Sequence, residues 1–207
     1  KPMKRYAFLL SAVVVGCGER MLDPLDPGSF PQYSGTVTIE VGTSKNVFDY
    51  YRDGKKLRIV PKVSERAGAE PSMVLIVDEE ARTATAVSLA TKRYVVRAIT
   101  DKMTRAGMSW PLGQRGYQPK IISRETIGHE NIGSHSCIVL QVVMESADGT
   151  HHTVKMWSAR DLQGFAVKLD SMEGKVPFSL TFSDVRLGSV GDPSLFEIPL
   201  NFKNANG

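Results

Sequence analysis

The chain has 207 residues, 42% of them hydrophobic and 23% charged, with 18 Gly, 11 Pro and 2 Cys. That length supports one domain with a real core, and the apolar fraction excludes a disordered chain. Two cysteines exclude a disulfide framework and a four-thiolate zinc site, while a formal charge of +4 raises nucleic-acid binding until the charge is located.

Lys4 and Arg5 precede an uncharged apolar run from Tyr6 to Val15, which ends at Gly16-Cys17. A short basic stretch, a short apolar stretch and a small residue have the anatomy of a secretory signal peptide. The run is too short to span a bilayer, which takes about 20 apolar residues. Val14-Val15-Gly16-Cys17 resembles the bacterial lipobox. The resemblance implies that residues 1–16 are a lipoprotein signal peptide and that Cys17 is the lipid-attachment residue and mature N-terminus. Gly18, where Asp would favour the inner membrane, implies an outer-membrane anchor facing the periplasm. Three of the 26 basic residues and none of the 22 acids lie in residues 1–16, so the remainder is close to neutral. No basic stripe with interleaved aromatics follows, and nucleic acid is not an expected partner.

Residues 17–34 read as the lipidated N-terminus and a flexible tether, because Pro24, Pro27 and Pro31 exclude regular helix and central strand. A β domain is expected over 35–207. Val37, Ile39 and Val41 alternate with polar residues, the period of a half-buried strand. Asp53-Gly54 predicts a hairpin between 46–52 and 56–60. Apolar runs at 73–77 and 83–89 flank the polar turn Asp78-Glu79-Glu80, and Tyr94, Val96 and Ala98 mark a sixth strand.

Residues 99–119 interrupt the pattern. Met103, Met108 and Trp110 in this stretch either line a cavity as part of a lid or plug one end of the core. Alternation resumes at 137–144, Asp148-Gly149 turns the chain into 153–158, and 165–170 and 178–185 complete the set. About eleven strands with short turns predict a mainly β fold built on an antiparallel sheet. Asp192-Pro193 predicts an N-cap and first helical position, with Leu195, Phe196 and Ile198 tucked onto the sheet.

The second half carries a resemblance. Arg124-Glu125-Thr126-Ile127-Gly128 is followed by Gly133-Ser134-His135-Ser136-Cys137. Then come Trp157-Ser158-Ala159-Arg160-Asp161-Leu162 and Asp192-Pro193-Ser194-Leu195-Phe196-Glu197-Ile198-Pro199. In order and spacing these segments resemble the LolA/LolB-like superfamily, over residues 35–202. The resemblance implies a strongly curved antiparallel sheet, an unclosed β-barrel with a helix or loop lid over an apolar concavity. It also implies a lipid or acyl chain, free or on a lipoprotein, as ligand. Trp157 and Phe165 join Met103, Met108 and Trp110 as candidate cavity or lid residues.

The chain contains no G-x-S-x-G, H-E-x-x-H or P-loop motif. Adjacent His151 and His152 point to opposite faces of a strand, so neither a metal site nor another cofactor is expected. His135 and Cys137 share a strand face, but a nucleophile needs a depressed thiol pKa, and a core cysteine is the simpler reading. The expectation is therefore a membrane-anchored binding module and not an enzyme. The alternative is an envelope scaffold or assembly factor that binds another protein.

Overall fold

The computed structural model describes residues 30–62, 73–99, 120–145, 149–171, 177–188 and 190–205. The strands are β1 (Gln32–Val41), β2 (Ser44–Asp53), β3 (Lys56–Pro61), β4 (Met73–Asp78), β5 (Thr83–Ser88) and β6 (Arg93–Ala98). They continue as β7 (Lys120–Ile132), β8 (His135–Glu145), β9 (His151–Ala159), β10 (Phe165–Ser171), β11 (Phe178–Leu187) and the two-residue β12 (Lys203–Asn204). All twelve lie in one sheet in the order β12-β6-β5-β4-β3-β2-β1-β11-β10-β9-β8-β7. The sheet is curved and open, with β12 and β7 at its edges. Neighbours are antiparallel except β12 and β6, which run parallel. The mainly β expectation holds, and the eleven longer strands match the expected number. Among the described residues no helix is long and apolar enough to cross a membrane.

Local chemistry sets the turns. The β1–β2, β2–β3 and β7–β8 hairpins each have two-residue loops, led by Gly42 (φ 59°), Gly54 (φ 56°) and Gly133 (φ 58°). Positive φ at the first loop position matches the right-handed twist of the flanking strands, and glycine reaches it without a Cβ clash. The Asp53-Gly54 hairpin thus forms where the dipeptide placed it.

The first strand departs from expectation. β1 begins at Gln32, three residues inside the segment read as tether, and Phe30 and Tyr33 are buried. Pro31 precedes the strand and so removes no ladder donor from it. Its carbonyl accepts from Gly54 N at 2.6 Å.

Paired residues share a face of the sheet, and neighbours along a strand alternate between faces. One face carries the row Tyr33, Arg52, Leu57, Val77 and Ala84, and beside it Tyr50, Ile59, Leu75 and Ala86. The opposite face of β4 and β5 carries Val74, Ile76 and Val87, with Val60, Leu89, Tyr94 and Phe202 packed against them. Phe202 belongs to a C-terminal strap over that face. Asp192 caps a 3-10 turn at Pro193–Phe196, its carboxylate accepting from Ser194 N at 2.8 Å. Phe196 is buried, Leu195 O accepts from Arg58 Nη1 at 2.6 Å, and β12 then pairs with β6. The expected cap and docking turn are both present.

Candidate functional site

The face opposite the strap carries an apolar groove across β1 to β4. Val37, Ile39, Phe48, Tyr50, Leu57, Ile59, Pro61, Met73, Leu75 and Val77 line it, and it encloses about 240 Å³. Each strand contributes alternate residues, so the groove follows from the pleat and the antiparallel registers. Met73 stands at its rim, half exposed. The one polar group in the lining is the Tyr50 hydroxyl, which is turned away to hydrogen-bond with Tyr33 and Arg52. Burial, foremost, holds the Tyr50 and Tyr33 pKa values above the ordinary range, so both phenols stay neutral.

An aromatic block adjoins the groove through Tyr50. Tyr33 stacks on Tyr50 at 5.6 Å between centroids, and Phe165 meets Phe30, Tyr33 and Phe182 edge-on at 5.2, 5.0 and 5.1 Å. Edge-to-face rings pair a positive rim with a negative face, which adds to their area burial. Beside this block lies a buried ion pair. Arg52 Nη2 donates to both Glu79 carboxylate oxygens at 3.2 Å, with the two side chains 3% and 8% exposed. Burial acts to lower the Arg52 pKa, but Tyr50 and Glu79 outweigh it and the net shift is upward.

The structure redistributes the expected cavity residues. Phe165 belongs to the aromatic block and not to the groove lining. Trp157 is on the other face: it pairs with Lys168, which pairs with Thr181, which pairs with Thr38, and all of these alternate with groove-side neighbours. There the indole Nε1 donates to Glu130 at 2.8 Å, and the Lys155 and Lys168 ammonium groups stand 4.5 and 4.4 Å from the ring centroid. The indole and Lys155 hydrogen bonds hold the Glu130 carboxyl below its usual pKa. Trp157 is a buried packing residue and is not part of the β1–β4 groove lining. Cys17, Met103, Met108 and Trp110 lie outside the described residues.

Cys137 is fully buried, and its thiol donates to the backbone carbonyl of His135 at 3.5 Å. Burial, the largest influence, raises its pKa, so the thiol stays protonated and is a poor nucleophile. His135 Nδ1 lies 2.7 Å from Asp161, a contact that ties the β7–β8 turn to the β9–β10 turn. Among the described residues no group of three His, Cys, Asp or Glu side chains could hold a metal ion.

None of the ten groove residues was a site candidate in the sequence; Val37 and Ile39 were read only as one face of a strand. The alternation of Leu57 and Ile59 with Arg58 and Val60 carried a signal, but Val60 and Val74 are apolar too and blurred it.

No family model matches the sequence, and no curated protein is similar to it at a significant level. Solved structures do match. MucB aligns at 15% identity and a TM-score of 0.54, over 89% of this chain and 61% of its own, and it also matches in its Pseudomonas aeruginosa complex with MucA. The lipoprotein LppX of Mycobacterium tuberculosis aligns at 13% identity and a TM-score of 0.49, over 81% of this chain and 93% of its own. A LolA superfamily protein from Nitrosomonas europaea aligns at 11% identity and a TM-score of 0.37, over 86% of this chain and 93% of its own. At such identities the likeness is one of fold, and it is the fold of MucB that this chain shares over most of its length.

Proposed function

We propose that this protein is a binding module of the cell envelope, not an enzyme, that holds a single acyl chain of a lipid or lipidated protein in its concave groove. The observation that carries this reading is the groove itself, whose lining presents methyl, methylene and ring surface and whose one hydroxyl is already engaged. An apolar chain entering it gives up contact with water at about 25 cal/mol per Å² of buried surface, and no polar group loses a partner. Its volume lies below the ~300–1,000 Å³ of pockets for drug-sized ligands, which suits one narrow chain and not a bulky ring system. In this reading Cys17 anchors the protein to the outer membrane and the groove faces the periplasm.

Two measurements test it. Leu75 is a partly exposed groove residue, so Leu75→Asp should leave the fold intact by circular dichroism. It should weaken binding of dodecanol, measured by titration calorimetry, by about tenfold or more, because a bound chain would bury the new charge. Equal binding by the folded variant would sink the groove reading. Cys17→Ala should move the protein from the membrane to the soluble fraction of cells, and persistence in the membrane would contradict the anchor.

A second reading, a scaffold that binds another protein, draws on β7. This thirteen-residue edge strand is paired with β8 on one side and exposes Ile121, Ile122 and Ile127. Unpaired strand edges accept added strands. A scaffold of that kind would keep its partner in the Leu75→Asp variant.

A further inference from the structure

The wall beyond the groove is basic. Along the sheet, Val77 pairs with Ala84 and Ala84 with Arg97, Leu75 pairs with Ala86 and Ala86 with Val95, and Met73 pairs with Ser88 and Ser88 with Arg93. Arg93 and Arg97 therefore point to the same face as the groove, two strands beyond its β4 side, or about 10 Å away. The strand between them and the groove presents Ala84, Ala86 and Ser88 on that face, so among the described residues this strand puts no large side chain between the apolar lining and the two guanidinium groups.

Both arginines are exposed, and neither is in an ion pair among the described residues. Glu79, the acid at the Val77 end of the groove, is engaged by Arg52. Four residues of strand put Arg93 and Arg97 about 13 Å apart, one in line with the exposed rim at Met73 and one in line with Val77. Fixed positive charge with fork geometry beside an apolar trough is complementary to an amphiphile with a phosphate or carboxylate head.

We infer that the ligand is an anionic lipid, its chain in the β1–β4 groove and its headgroup held by Arg93 and Arg97 across the small-residue strand β5. This rests on the acyl-chain reading of the groove and adds the charge of the ligand to it. Hydrogen bonds to charged groups are strong enough that the headgroup should tighten binding by about tenfold. The advantage should shrink as salt rises, because the arginines are exposed.

The test uses the full chain carrying Cys17→Ala, so that no attached lipid competes, and three probes: dodecyl phosphate, dodecanol and inorganic phosphate. The expected result is about tenfold tighter binding of dodecyl phosphate than of dodecanol, and loss of that advantage in the Arg93→Ser/Arg97→Ser double variant with dodecanol affinity unchanged. Equal affinity for the two amphiphiles, or an advantage that survives the double variant, would overturn the headgroup site while leaving the groove reading in place. If inorganic phosphate binds as tightly as dodecyl phosphate, the arginines form a free-anion site and the lipid assignment is wrong. If neither amphiphile binds, the groove reading itself fails.

Discussion

Glu79→Ala should cost about 3–5 kcal/mol of folding stability, read as a lower urea midpoint with an unchanged slope. The reason is what the substitution leaves behind. Arg52 is 3% exposed and donates to both Glu79 oxygens, so removing the carboxylate strands a charged guanidinium among the aromatic block and the Leu57 side chain. Arg52 cannot escape by losing its proton, because arginine stays charged in proteins and its pKa here is shifted further up. The double variant Arg52→Met/Glu79→Leu should recover most of the loss, since buried pairs are often replaceable by apolar residues of similar volume. A double variant as unstable as Glu79→Ala would mean that the pair does more than balance its own charges.

Trp157→Ala is the second large expected effect, a loss of about 3–5 kcal/mol by the same measurement. The ring is 2% exposed, and its deletion also removes the apolar surface under the Lys155 and Lys168 stems. Trp157→Phe should cost less, because one aromatic ring stays, while part of the buried ring surface and the indole hydrogen bond to Glu130 go. Dodecanol binding by either folded variant should match the parent, since Trp157 does not line the groove. A matching loss of binding would show that the two faces of the sheet are coupled.

These residues show where the sequence was legible. Turn chemistry was local and readable: Asp53-Gly54 and Asp192-Pro193 act where they stand, with little help from the rest of the chain. Strand existence was readable wherever one face is buried. β7 shows the limit, because most of its thirteen residues are exposed and little apolar alternation marks its full extent. The groove was harder to read for the opposite reason. The C-terminal strap covers the far side of β4 and β5, so Met73–Val77 is apolar on both faces and its pattern does not say which face is free. Trp157 lies outside the groove lining, and a large ring in a strand announces burial without announcing the side. Its side was set by register with Lys168, which no local pattern contained. Phe165 was read as a cavity or lid candidate, but its place in an aromatic block needed Phe30, Tyr33 and Phe182 from distant parts of the chain.

The strand order has a consequence for how the chain acquires its shape. β1 to β6 form one run of sequential hairpin neighbours and β7 to β11 another, and the seam between the two runs is the single ladder of β1 with β11. Contacts within each run are close in sequence and form with little loop-closure entropy. The seam joins residues such as Val37 and Phe182, separated by most of the domain, and so carries the largest ordering cost. During synthesis the groove-bearing run emerges first, before the strap that shields Val74, Ile76 and Val87 has been made. For that interval both faces of β4 are open to water, and this is the stage at which a nascent chain of this topology is most prone to aggregate.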